Sequence, residues 1–292
     1  MLGSSVGNQS GAALGALAFP VLGPVGVVAV RQWVAGLIML AVGRPRLRSF
    51  TWWQWRPIMA LAAVFATMNL SLYTAIDRIG LGLAVTLEFL GPLTIALVGA
   101  FTGVSTPARR RVTVFCALLA GAGVVVLTRP HGATDLLGIG LALFAALCWA
   151  GYILLNRTVG RRAPGVEGSA AAGVLSALAY VPVGIAALLA HPPTLAALAC
   201  AAAAGLLSSA VPFLADLLAL RRVPAHSFGI FMSISPVIAA AIGTVVLGEA
   251  LAPVDWLAIG LIVTANAASI VVTPVAAPRP PTGSGASHPP AG

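Results

Sequence analysis

Apolar runs, each about as long as a bilayer is thick, succeed one another from residue 2 to residue 273 and are parted only by short polar gaps. A hydrocarbon core of about 30 Å takes roughly 20 helical residues to cross. The runs lie near 2–19, 24–43, 57–76, 81–103, 110–128, 136–157, 168–190, 195–219, 225–248 and 254–273. Hydrophobic residues make up 59% of the 292 and charged residues only 8%, against about 25% charged in soluble domains. One soluble core of this length has no room for so much apolar surface. The expected fold is therefore all-α and integral to the membrane, with ten transmembrane helices.

The basic residues test that layout. All sixteen are Arg, and the formal net charge is +9. They do not form the basic stripe of a nucleic-acid surface but sit in the gaps between runs. With the N-terminus in the cytoplasm, thirteen fall on the inner side, from Arg44, Arg46, Arg48 and Arg56 through Arg109, Arg110 and Arg111 to Arg279. Only Arg78 and Arg129 fall outside, and Arg31 lies within a run. So strong a positive-inside bias predicts both termini in the cytoplasm and a multi-pass protein of the inner membrane. No cleavable leader is expected, because the N-terminus lacks a basic n-region. Residues 274–292, rich in Pro, Gly and Ser, read as a disordered cytoplasmic tail. Cys116, Cys148 and Cys200 lie inside apolar runs, without metal-ligand spacing, and read as small hydrophobes.

The chain also resembles itself. Leu72–Pro92 aligns without gaps on Asp216–Pro236 at an offset of 144 residues, pairing Arg78 with Arg222, Pro92 with Pro236 and, further on, Gly99 with Gly243. This joins the third and fourth runs to the eighth and ninth. Each half then holds five spans, an odd number, and the second half must enter the membrane the other way up. The expected organisation is two inverted five-helix repeats, 1–130 and 131–273, the arrangement of many secondary transporters, whose substrate site lies near the midplane between halves.

Polar side chains inside spans are costly and commonly face a cavity or a partner. Arg31 and Glu88 each lie seven residues in from the outer end of their runs, about 10 Å deep at 1.5 Å per residue. Asn69 reaches a similar depth, Tyr73 lies one turn above it, and Gln9 falls near the middle of the first run. Pro92 cannot donate to the carbonyl of Glu88, and likewise Pro236 frees Met232 and Pro212 frees Ser208. Broken helices of this kind are tolerated where they line a cavity. Two readings stay open for the charged pair. Arg31 takes the carboxylate of a zwitterion and Glu88 its ammonium, with Glu88 also a candidate proton carrier; or the two form an ion pair that only holds helices together. Asp216 lies about one turn from Arg221 and Arg222, where a cytoplasmic-end salt bridge competes with a proton-coupling role. Trp149 and Tyr152 either stack on a substrate or pack helices. Glu249 and Asp255 flank the last outer loop and are expected to be solvated. Gly3, Gly7, Gly11 and Gly15, with Gly99 and Gly103, have the four-residue spacing of close helix packing. No metal site or cofactor is indicated.

The segments GAALGALAFP (11–20), AVTLEFLGPL (84–93), LCWAGYILLNR (147–157), SSAVPFLADLLALRRVP (208–224) and SISPVIAAAIGTVVLGEALAP (233–253) resemble, in order and on the matching spans, the EamA-like members of the drug/metabolite transporter superfamily. Within it they are similar to exporters of threonine and homoserine. The resemblance runs from about Gln9 to Ile270. It implies a central cavity between inverted halves, proton-coupled efflux of amino acids, and roles for Glu88, Trp149 and Asp216, which stand in the matching motifs. Ala16 stands where relatives commonly carry Lys, a departure that bears on substrate and coupling.

Several classes are weighed against this. ATP-driven transport by the chain alone is excluded, since there is no phosphate-cradling G-x-x-x-x-G-K-[ST] and no Lys. An intramembrane enzyme would need convergent nucleophile, base or metal ligands that the spans do not offer. An importer or carrier of the same fold is the main alternative, and a non-transporting scaffold lacks soluble regions for a partner. The expected partners are a small-molecule substrate, protons and the lipid bilayer; whether the chain pairs as a homodimer stays open.

Overall fold

The computed structural model describes residues 2–102, 106–128, 135–163, 166–210 and 232–272. The helices are α1 (Leu2–Leu17), α2 (Phe19–Gly43), α3 (Trp52–Ile79), α4 (Leu81–Glu88), α5 (Leu90–Thr102), α6 (Pro107–Leu127), α7 (Leu136–Arg162), α8 (Glu167–Ala190), α9 (Leu195–Gly205), α10 (Ser235–Val246) and α11 (Pro253–Val272). A 3₁₀ turn covers Leu47–Ser49, and a π-helical turn continues α9 over Leu206–Ala210. Each of the ten expected runs contains helix. Seven helical segments are long and apolar enough to cross a membrane, counting α4 and α5 together; α1, α9 and α10 are shorter. Asp216, Pro212, Arg221, Arg222 and the tail lie outside the described residues.

Helix starts follow local chemistry. Thr51 and Gln54 form a capping box at α3, Thr106 accepts from the Arg109 N–H with Pro107 following, and Thr194 accepts from the Ala197 N–H at 3.2 Å. Each satisfies an amide that the first turn leaves unpaired. Asp135 caps α7 through the Gly138 N–H at 2.8 Å and also pairs with Arg78 at 2.9 Å.

Small residues fill the interior and large ones face out. The buried core is dominated by Ala, while Leu195, Val245 and Leu189 are 85%, 83% and 79% exposed. In lipid, apolar side chains gain little by hiding from their surroundings, so helix association depends on close backbone approach. The α2–α8 seam shows this. A Cβ on Gly36 would lie 2.4 Å from the Ala177 Cβ, and one on Gly43 2.4 Å from that of Ala170. On α1 the expected glycine face is only partly used: Gly11 packs on Ser208 and Gly15 on Tyr73, whereas Gly3, like Gly99 on α5, meets no described residue within 4 Å. Spacing alone does not say which part of a helix has a neighbour.

Three interruptions matter. Gly23 takes φ +64° immediately before Pro24 and bends α2. α4 and α5 part at Phe89, three residues before Pro92. A turn at Ser233–Ile234 precedes α10, with Pro236 in its first turn. In the bundle α2 packs on α8 and α9, α3 on α7 and α8, α4 on α7 and α10, α1 on α9 and α10, and α6 on α11.

Candidate buried charged site

The α2, α3 and α9 segments bring Arg31, Asn69, Tyr73 and Ser208 together. One Arg31 guanidinium nitrogen donates to the Asn69 side-chain oxygen, and the other terminal nitrogen donates to the Ser208 carbonyl at 3.4 Å. The guanidinium lies 4.8 Å from the centre of the Tyr73 ring. In the sequence Pro212 lacks the N–H that an α-helical turn would offer the Ser208 carbonyl. The π-helical turn Leu206–Ala210 carries it. Asn69 is fixed in turn by donating to the Phe65 carbonyl at 2.7 Å. All four residues are buried.

This answers half of the question about Arg31 and Glu88. The ion pairs among the described residues are Arg46–Glu167 at 3.0 Å and Arg78–Asp135 at 2.9 Å; Arg31 and Glu88 make no contact of that kind. Glu88 is buried, 8% exposed, and makes no hydrogen bond or ion pair with a described residue, although it is near enough for the Arg31 charge to act on it. The Arg31 Nε and the Tyr73 hydroxyl are also buried without a hydrogen-bond partner among the described residues. Among the described residues Arg31 is thus held by a carbonyl, an amide oxygen and a ring face, with no acid in an ion pair with it. Two opposite charges and two donors without a described partner, inside one bundle, suit a small zwitterion chemically.

The other sequence candidates divide. Gln9 is buried on α1 without a hydrogen bond to a described residue, next to Asn8, whose carbonyl accepts from the Ser208 hydroxyl at 2.7 Å. Trp149 packs edge-on against Phe89, ring centres 4.5 Å apart, one residue from Glu88. Tyr152 packs edge-on against Phe65 at 5.3 Å, beside a separate apolar cluster around Ile58 and Leu61. Glu249 departs from its expected solvated place. It is half-buried, and its carboxylate accepts the backbone N–H groups of Leu81 and, at 3.1 Å, Gly82. Asp255 departs less: it accepts the Ala252 N–H at 2.9 Å at the start of α11.

Asn266 was missed altogether. It is 1% exposed, donates to the Phe89 carbonyl at 2.8 Å across the α4–α5 break, and keeps its own side-chain oxygen buried without a partner. An amide thirteen residues into an apolar helix is the signal that would have found it.

Fold and site together define a polytopic helical membrane protein with charged groups held inside its bundle. The EamA-like transporter family model matches residues 136–271. The chain is 35% identical over 266 residues to the threonine/homoserine exporter RhtA of Escherichia coli K12, covering 89% of this chain and 86% of that one. It is 34% identical over 267 residues to the exporter of the same name from Salmonella typhimurium LT2, with the same coverage. A crystal structure 20% identical, covering 91% of this chain and 96% of its own, shares the fold with a TM-score of 0.60. The chain belongs to the EamA-like transporter family.

Proposed function

We propose that this chain is a secondary active exporter of small zwitterionic metabolites, amino acids such as threonine and homoserine, driven by protons across the cytoplasmic membrane. Arg31, with Tyr73, takes the substrate carboxylate; Glu88 takes its ammonium or the coupling proton. The observation that carries this is a buried guanidinium with a spare donor, and a buried carboxylate within reach of its charge, neither paired with the other nor with a described residue of opposite charge. An Arg–Glu pair serving only to join helices would be expected to close on itself, since an unpaired buried charge costs several kcal/mol. Gln9, Asn69 and Trp149 border the substrate, and Asp216 remains a proton-coupling candidate on sequence grounds alone. The names of the two exporters supply the substrate class.

The bundle is read as ten spans in two inverted five-helix repeats, 1–130 and 131–273, with both termini cytoplasmic. Three observations support this. The helix breaks at Phe89 and at Ser233–Ile234 fall at the same offset as Pro92 and Pro236. Exchanging the halves maps the packing of α3 on α7 onto α1 on α9, of α3 on α8 onto α2 on α9, and of α4 on α7 onto α1 on α10. Finally, Gln32 donates to the Ser176 hydroxyl at 2.7 Å, two residues 144 apart in the chain. A residue bonded to its own repeat equivalent is what a local two-fold axis between α2 and α8 would produce.

The test is flux of labelled threonine and homoserine in proteoliposomes, with and without a pH gradient, for the native chain and the Arg31→Gln and Glu88→Gln variants. A loss of at least about tenfold is expected for each, equivalent to about 1.4 kcal/mol. Near-native flux from properly inserted variants would remove both residues from the site.

A further inference from the structure

The helix that carries Glu88 is only eight residues long, too short to be stable alone. Both its ends are held by the last two helices and the loop between them. At its start, the Glu249 carboxylate accepts the Leu81 and Gly82 N–H groups. These are orphan donors at the positive end of the helix dipole, where a carboxylate is most favourable. The seat is built to shape. Cβ atoms on Gly80, Gly82 and Gly243 would press respectively 3.0 Å from the Glu249 carboxyl, 3.0 Å from the Ala240 backbone and 2.3 Å from the carboxyl again. Gly80 also has φ +84°, which turns the chain from α3 into α4 beneath the carboxylate.

At its other end α4 stops at Glu88, and the next residue, Phe89, is held on two sides. Asn266 donates to its carbonyl at 2.8 Å, and Trp149 packs on its ring. Inside the helix, Thr86 is tied down by donating to the Gly82 carbonyl at 2.6 Å. Glu88 has no side-chain partner of its own among the described residues. Its place is therefore set by the backbone that carries it, and that backbone, packed along α3 and α7, is hydrogen-bonded at its two ends from α11 and the loop before it.

We propose that Glu249 and Asn266 are positioning residues for transport: they clamp α4 at both ends and so set where the Glu88 carboxylate meets the substrate. The inference rests on the reading of Glu88 given above, and the experiment separates the two. KM and Vmax for homoserine and threonine are measured in proteoliposomes for Glu249→Gln, Asn266→Leu and Glu88→Gln, and for each clamp variant combined with Glu88→Gln. Each clamp variant is expected to raise KM about three- to tenfold, the scale of losing a hydrogen bond to a charged or buried group. In the Glu88→Gln background neither should change KM further, because their effect passes through that carboxylate. A clamp variant that lowers only Vmax, or whose effect on KM persists beside Glu88→Gln, overturns the proposal. If Glu88→Gln alone leaves KM unchanged, the reading of Glu88 as the group that takes the substrate ammonium fails instead.

A second measurement needs no substrate and survives poor transport. In a chain whose three cysteines are replaced by serine, Glu88→Cys is labelled with a small maleimide in membranes. Adding Gly243→Ala, which drives the Glu249 carboxylate from its seat while leaving it present, is expected to change the labelling rate at least about fivefold. Equal rates would show that the clamp does not govern position 88.

Discussion

Arg31 keeps a full charge inside the bundle by spreading it over an amide oxygen, a backbone carbonyl and an aromatic face. Such groups hold a cation without neutralising it, which leaves its field free to act on an incoming anion. Tyr73 shares the site but its hydroxyl bonds to no described residue. Removing that hydroxyl relieves a buried unpaired group, so Tyr73→Phe should leave the thermal midpoint in detergent unchanged or slightly higher. If the hydroxyl meets substrate, KM rises a few-fold in the same variant, and a fall in stability would refute the assignment. Asp135 makes a prediction in pH. Its carboxyl is held below the ordinary value of about 4, first by the Gly138 N–H it caps and then by Arg78. A depressed native pKa gives stability that is present above the unfolded value and disappears as pH falls through the native one. Asp135→Asn should therefore lower the midpoint slightly at pH 7 and make no difference near pH 2, as scanning fluorimetry would show.

At the scale of helices, the seams are set by what is small enough to let backbones meet. Gly36 and Gly43 on α2 face Ala177 and Ala170 on α8 at separations that leave no space for another methyl group. Gly36→Leu should destabilise by about 1–3 kcal/mol through overpacking, whereas Gly99→Leu, with no described residue within 4 Å, should be tolerated. Unfolding midpoints in the same detergent compare them directly. The helix breaks follow a different logic. Residues distant in sequence reach the backbone at two breaks: Asn266 at the Phe89 carbonyl, three residues before Pro92, and Arg31 at the Ser208 carbonyl in the π-helical turn. The prolines were readable as breakers. Their partners were not, because nothing local encodes which helix will lie alongside.

For the molecule as a whole, orientation is the open quantity with the simplest test. Single cysteines at Arg44 and Arg109 should react with a membrane-impermeant thiol reagent from the same side, and one at Arg78 from the other. Labelling of Arg44 and Arg109 from opposite faces would undo the ten-span layout. The exposed pair Arg46–Glu167, in which the Arg46 side chain is 74% exposed, is expected to add little to stability. The most extensive packing joins α2 to α8, α3 to α7, and α6 to α11.

Legible along the chain alone were the solvent of this protein, the location of its helices, their breaking points and the few charges buried among them. Those properties depend on length, hydropathy and the missing proline N–H, all of which are local. It took the packed bundle to turn Arg31 to Asn69, Tyr73 and Ser208 rather than into an ion pair with Glu88. Only there does Glu249 leave water for the start of α4, and Asn266 reach the break behind Glu88. Those choices depend on which helix faces which, and in a bundle lined with Ala and Gly that is fixed by small differences in backbone approach that no single segment contains.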